Sequence, residues 1–416
     1  SDRGLLLYRY GPGLHLLDLN RSEQSEIVED PDDINWQQSI GLSTFAPVLS
    51  HDGRYVAYGE WMDTGEGFGL FRKATTGTEL PHLMDITGAF TSADWSQNGS
   101  QLLLLFDNHG WSDGTNEQID ASELWVLDTG LGGERIVEIP DFDEGPWAFL
   151  FNSADLGFDP STTAILDATW SPDGQTIALE IEDSSRWDEW YECDRQGYWY
   201  EQQSWLAEKC QKYGEYGWDG NGMMTTREIF LVGTDGHGLR QLTTDSRVAI
   251  PCEYTPCEEA WMESTAQDPA WSPDGTKIAF VSTRTHPDDP ECYQDTRINF
   301  HLERRSVTRD LYVVNIHDGT APQRVTDSCL IDYYWYDSRE WVDTGSWLWT
   351  PPKEWSQGER ISNPHWSPDG SEISVDICWN GCVAGTIDEW GYFTPFTYNQ
   401  GDNHIANVLG WSASGG

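Results

Sequence analysis

The chain is poor in positive charge. Its 416 residues carry 24 Lys and Arg against 70 Asp and Glu, a formal net charge of -46. Only five of the cations are Lys: Lys73, Lys209, Lys212, Lys277 and Lys353. A field this negative repels nucleic acid and anionic lipid, so neither is expected as a partner. Long apolar runs are also missing. No stretch approaches the roughly 20 apolar residues of a membrane-spanning helix, so membrane insertion is not expected. No Cys-x-x-Cys pair exists, which counts against zinc and c-type haem sites. No phosphate-binding Gly-rich loop exists either. One Gly-x-Ser-x-Gly match stands at Gly110–Gly114, but it leads into a strand pattern and not the helix that a nucleophile elbow needs. The ten His are scattered without ligand spacing.

What the chain does have is a repeat. Trp-Ser-Pro-Asp-Gly occurs unchanged at Trp170–Gly174, Trp271–Gly275 and Trp366–Gly370. Altered copies stand at Leu49–Gly53, Trp95–Gly99 and Trp411–Gly415. Pro presets φ at the second position of a tight turn, and Asp and Gly suit the positions after it. An alternating apolar run follows, as in Thr176–Ile181 and Lys277–Val281, and alternation marks a strand. A third strand is expected at Glu123–Leu127, Glu228–Val232 and Asp310–Val314, and a short fourth at Leu239–Thr243 and Gln323–Thr326. Four antiparallel strands per repeat make a propeller blade.

The turn, the Ile-Ala-Phe run at Ile278–Phe280 and the Leu-Tyr-Val-Val run at Leu311–Val314 resemble the TolB-like six-bladed propellers. The resemblance covers nearly the whole chain and implies fold; function has to be argued from sites. The expected fold class is therefore all-β, one six-bladed β-propeller domain over residues 1–416. Inserts interrupt it at about 183–226, 283–308 and 328–361. The chain opens on a second strand, Leu5–Tyr10, and a third, Gly13–Asn20, and stops after a sixth turn with no strand behind it. Joined, the two ends complete one blade and leave no open edge. The same complementarity would let one molecule's terminal strand complete its neighbour's blade, giving a head-to-tail polymer.

The inserts are rich in aromatics. The binding candidates are Trp187, Trp190, Trp199, Trp205 and Trp218 in one insert and Trp335, Trp341, Trp347 and Trp349 in another. Two readings compete: small cores that let long loops fold, or exposed platforms for sugar rings or a protein. The acid excess serves solubility, or it binds divalent cations through clustered carboxylates. Asp107, Asp113 and Asp120 have the most ligand-like surroundings, so Ca2+ is the one cofactor considered. The eight Cys pair by proximity as Cys193 with Cys210, Cys252 with Cys257, Cys292 with Cys329, and Cys378 with Cys382. Disulfides imply an oxidising compartment, so the chain reads as secreted, at the cell surface or in a periplasm. The expected function is a non-catalytic extracellular module that binds a glycan or an exported protein, or assembles with itself, including as a filament. The alternative is an extracellular polysaccharide lyase or glycoside hydrolase on the insert-bearing face. Clustered His, Arg and carboxylates at the channel mouth would favour that alternative.

Overall fold

The computed structural model describes residues 4–10, 13–28, 47–61, 68–76, 82–87, 90–106, 122–129, 147–183, 226–244, 248–250, 260–262, 265–282, 309–326, 360–378, 382–388, 393–398, 403–404 and 408–412. They form six four-stranded antiparallel sheets arranged as a six-bladed propeller. Blade I holds Val48–Leu49, Tyr55–Trp61, Phe68–Ala74 and His82–Thr87. Blade II holds Phe90–Trp95, Gln101–Phe106, Glu123–Asp128 and Trp147–Asn152. Blade III holds Thr163–Trp170, Thr176–Asp183, Thr226–Gly233 and Arg240–Gln241. Blade IV holds Ala266–Trp271, Lys277–Ser282, Asp310–Asn315 and Gln323–Arg324. Blade V holds Arg360–Trp366, Ile373–Cys378, Cys382–Ile387 and Phe393–Pro395. In blade VI the C-terminal strand Val408–Ser412 pairs with Leu5–Tyr10, which pairs with Gly13–Asp18 and then Glu23–Val28. The two ends of the chain thus close the ring, as the split repeat implies.

The repeated turn shows why its residues recur. In blade III, Gly174 N donates to Ser171 O at 2.8 Å and Ser171 Oγ donates to Asp173 Oδ1 at 2.6 Å. Gly174 has φ +68°, a region that L side chains avoid, so the position requires glycine. The same bonds recur from Gly275 N to Ser272 O and from Gly370 N to Ser367 O.

The second strands depart from the expected alternation. Leu102–Leu105 are all fully buried, as are Ile177–Leu179 and Ile278–Val281. Each blade is covered on both faces by its neighbours, so both sides of its inner strands are apolar. Six clusters of buried residues fill the six blade interfaces. Leu103, Leu105 and Phe151 of blade II meet Ile165, Trp170 and Leu179 of blade III, and Leu5, Leu7 and Leu16 of blade VI meet Leu49, Val56 and Tyr58 of blade I. Each buried Leu contributes roughly 1.5–3 kcal/mol. The core is therefore a ring of slabs around an axis, and the innermost strands are left to line a channel.

Candidate functional site

The first strand of each blade runs along the channel and ends in the repeated turn. Residues at one distance from the motif Trp, or from its Leu49 counterpart, therefore meet around the axis at one depth. Three residues before it stand Ser92, Asp167, Asp268, Asn363 and Val408. One residue before it stand Val48, Asp94, Thr169, Ala270 and His365. Two residues after it, at the turn end, stand His51, Gln97, Pro172, Pro273 and Pro368. All of them line one cavity of about 530 Å³.

The deep tier is a hydrogen-bonded girdle that crosses blade boundaries. Ser92 Oγ of blade II donates to Asp167 Oδ1 of blade III. Asp268 N of blade IV donates to Glu180 Oε2 of blade III at 2.9 Å. Asn363 N of blade V donates to Asp268 Oδ2 at 3.2 Å, and Asn363 Nδ2 donates to Asp376 Oδ2 at 2.9 Å. Val408 N of blade VI donates to Asp376 Oδ1 at 3.3 Å. Arg227 balances the acids of blade III, at 3.3 Å from Glu180 Oε1 and 2.7 Å from Glu182 Oε2. The innermost strands bulge at this level, with register shifts between Ile165 and Asp167, Gln267 and Ala270, and Ser362 and His365. Asp268 and Asn363 take φ of +54° and +53°, which Asp and Asn accept more readily than other side chains. A bulge turns these polar groups toward the next blade.

The electrostatics follow from burial. Burial first, then the Asp268 and Asp94 charges, push Asp167 up to about 6, while the Ser92 hydrogen bond opposes them. Burial and the neighbouring Asp268 push Glu180 up to about 8 against the pull of Arg227. Burial also raises Asp94 and Asp268, and it lowers His365 to about 4. These acids hold protons more tightly than exposed carboxyls do, and His365 stays neutral at neutral pH.

The turn-end tier is two-sided. On blades I to III, Asp94 Oδ2 accepts from Thr169 Oγ1 at 2.8 Å and from Trp170 N at 2.7 Å. Asp94 Oδ1 lies 4.0 Å from His51 Nε2. On blades III to V the rim is Pro172, Pro273 and Pro368. Three motif indoles tie each blade to the one before it. Trp95 Nε1 donates to Val48 O at 3.2 Å, Trp271 Nε1 to Thr169 O at 3.3 Å and Trp366 Nε1 to Ala270 O at 3.1 Å. Trp170, 6% exposed, breaks the series, and its buried Nε1 has no acceptor among the described residues.

The site candidates singled out from composition fall elsewhere. Trp187, Trp190, Trp199, Trp205, Trp218, Trp335, Trp341, Trp347 and Trp349 lie outside the described residues, as do Asp107, Asp113 and Asp120. So do Cys193, Cys210, Cys252, Cys257, Cys292 and Cys329. The backbones of Cys378 and Cys382 are described, and they are Cα partners across the hairpin of blade V. Among the described residues, no three His, Cys, Asp or Glu side chains stand close enough to hold a metal ion. No helix among them is long and apolar enough to cross a membrane. The channel residues went unnoticed in the sequence. A usable signal was present: a polar residue three places before four of the motif Trp, in Ser92-Ala-Asp-Trp, Asp167-Ala-Thr-Trp, Asp268-Pro-Ala-Trp and Asn363-Pro-His-Trp.

No protein-family model matches the chain, and no curated protein matches it. Among solved structures it is similar to TolB from Acinetobacter baumannii, with 12% identity and a TM-score of 0.41 over 96% of this chain and 69% of that one. It is similar to the β-propeller domain of the Trilobed protease from Pyrococcus furiosus, with 10% identity and a TM-score of 0.40 over 96% and 85%. It is also similar to hydrazine synthase from Kuenenia stuttgartiensis, with 13% identity and a TM-score of 0.48 over 98% and 45%, so it spans less than half of that chain. The propeller stands on this chain's own strand pairing, whatever these likenesses.

Proposed function

We propose that this chain is an exported, non-catalytic TolB-like propeller that binds a glycan at the mouth of its central channel. One observation carries the reading. The mouth opposes a polar quadrant, His51, Gln97 and Asp94, to an apolar rim, Pro172, Pro273 and Pro368. Sugars carry hydroxyl edges and apolar C–H faces, and a small concave site of mixed character suits them. The deeper carboxyls are engaged in bonds between blades, so their evident role is to hold the ring. Export fits the even Cys count. Antiparallel Cα partners lie about 4.5–5.5 Å apart, within the span of a disulfide, so the Cys378 and Cys382 backbones suit their pairing. Self-assembly is the less favoured mode of action, because the Val408–Ser412 strand is used within its own chain. A filament would then rely on docking of the aromatic inserts.

A glycan array followed by calorimetry tests the reading. Binding that His51→Ala and Gln97→Ala each weaken supports it. No bound glycan, or binding indifferent to both substitutions, refutes it. A second reading has one observation behind it: His51, His365, Arg227 and four acids share the cavity. That grouping suits an extracellular polysaccharide lyase or glycoside hydrolase, and release of shortened or unsaturated sugars from a bound polysaccharide would establish it.

A further inference from the structure

We infer that the channel mouth receives an ammonium group borne beside an oxygen acceptor, the pairing that an amino sugar presents. This rests on the glycan-binding reading above and names its substrate class.

Asp94 supplies the anionic contact. A carboxylate offers about four acceptor sites. Thr169 Oγ1 and Trp170 N occupy Oδ2, and the Trp95 amide adds a third interaction. Its side chain keeps 20% exposure, and Oδ1 faces His51 across 4.0 Å, beyond hydrogen-bond reach. Asp94 therefore retains acceptor capacity at the mouth.

Trp170 supplies the complementary donor. Every other described motif indole holds a carbonyl of the preceding blade, at Val48, Thr169 or Ala270. Trp170 lines the same cavity, is 6% exposed, and its Nε1 has no acceptor among the described residues. A buried donor without a partner costs stability. A bound oxygen would satisfy it. The two unmet groups differ in kind, one wanting a donor and the other an acceptor. A simple amine answers only the first, and a neutral sugar lacks the charge that a buried carboxyl favours. The acid-rich chain, at -46, also draws cations toward its clefts. A cavity of about 530 Å³ is of ligand size.

The test is calorimetry at fixed salt with D-glucosamine, N-acetyl-D-glucosamine and cyclohexylamine. The expected result is saturable one-to-one binding of glucosamine, at least about tenfold tighter than either comparator. Asp94→Asn keeps an oxygen for Thr169 and the Trp170 amide but loses the charge, and it should weaken glucosamine at least about tenfold. Gln97→Arg adds a positive charge at the exposed rim without touching the girdle, and it should weaken glucosamine similarly. Trp170→Phe should weaken glucosamine and leave cyclohexylamine unchanged. Thermal melts of each variant establish that it is folded. If N-acetylglucosamine binds as tightly as glucosamine and His51→Ala weakens both, the ammonium inference falls and the glycan reading survives. If neither sugar binds and the glycan array is blank, both fall. Equal binding of cyclohexylamine overturns the requirement for a neighbouring oxygen. Glucosamine binding unaffected by Asp94→Asn places it on the acidic surface and overturns the site.

Discussion

Blades III to V and blades I to II use the same turn with different residues at one position. In blades III to V the residue after Ser is Pro172, Pro273 or Pro368; in blades I and II it is His51 or Gln97. The turn bonds do not change. Gly53 N reaches Ser50 O at 2.8 Å and Gly99 N reaches Ser96 O at 2.8 Å, as Gly174 N reaches Ser171 O. Ser50 Oγ still donates to Asp52 Oδ1, at 2.7 Å. The turn is therefore made by Ser, Asp or Asn, and Gly. The second position contributes only a preset φ, so it can change at low cost to folding. Because that position faces the channel, what looks like decay of the repeat in sequence becomes chemistry at the rim.

The largest test of the ring removes its joint. Deleting residues 408–412 takes away the strand that pairs with Leu5–Tyr10, together with buried Val408 and Trp411. Loss of one buried Trp side chain alone costs about 3–5 kcal/mol. The cooperative thermal transition should be lost and the hydrodynamic radius should grow, as read by calorimetry and light scattering. A compact monomer with an unchanged melt would show that blade VI closes without its inner strand.

The next effect is pH. Asp167 and Glu180 have folded values of about 6 and about 8, above their ordinary 3.8 and 4.5. Raised acids stabilise fully below their ordinary values, and the stabilisation is lost as pH rises through the folded ones. His365 works oppositely: lowered to about 4 from 6.5, it withdraws stability as pH falls below 6.5. The melting temperature should thus be nearly level between about pH 4 and about pH 6.5, then fall toward about pH 8. Glu180→Gln should flatten that fall. A melting temperature that climbs steadily from neutral to alkaline pH would contradict the protonated girdle.

The blade junctions give a smaller contrast. Trp271→Phe and Trp366→Phe each break a bond to the preceding blade, whereas Trp170→Phe breaks none. The first two should cost about 1 kcal/mol more than the third in denaturant melts. Equal costs would mean that the indole bonds do not distinguish the junctions.

The smallest effect restores the repeat. His51→Pro and Gln97→Pro should each stabilise by about 0.4–1 kcal/mol through the unfolded chain, while glycan binding declines. Destabilisation would show that the side chains at the rim support the fold after all.

The fold was legible because its causes are local. Gly174 and its counterparts need positive φ, the Ser and Asp before them close the turn, and apolar strands recur at fixed offsets. Even the closure of blade VI could be read from a chain that begins in mid-repeat. The exception was the alternation expected for Thr176–Ile181. Packing of neighbours on both faces buries Ile177, Ala178, Leu179, Glu180 and Ile181 alike, and no single segment carries that information. The channel site was not legible for a related reason. Ser92 meets Asp167 from 75 positions away, and Asp268 meets Glu180 from 88. In a chain with 70 acids, no acid stands out until partners are known.

By itself, then, the sequence determined the repeating unit, the number of blades and the joint that closes them, since turns and strands depend on neighbours along the chain. The tertiary structure alone decided which polar residues share the axis. A closed ring brings equal offsets of separate repeats to one depth, and burial there raises the acids and leaves the Trp170 indole without a partner. Those properties arise from the geometry of the ring and from exclusion of water, which no stretch of chain possesses before the ring is closed.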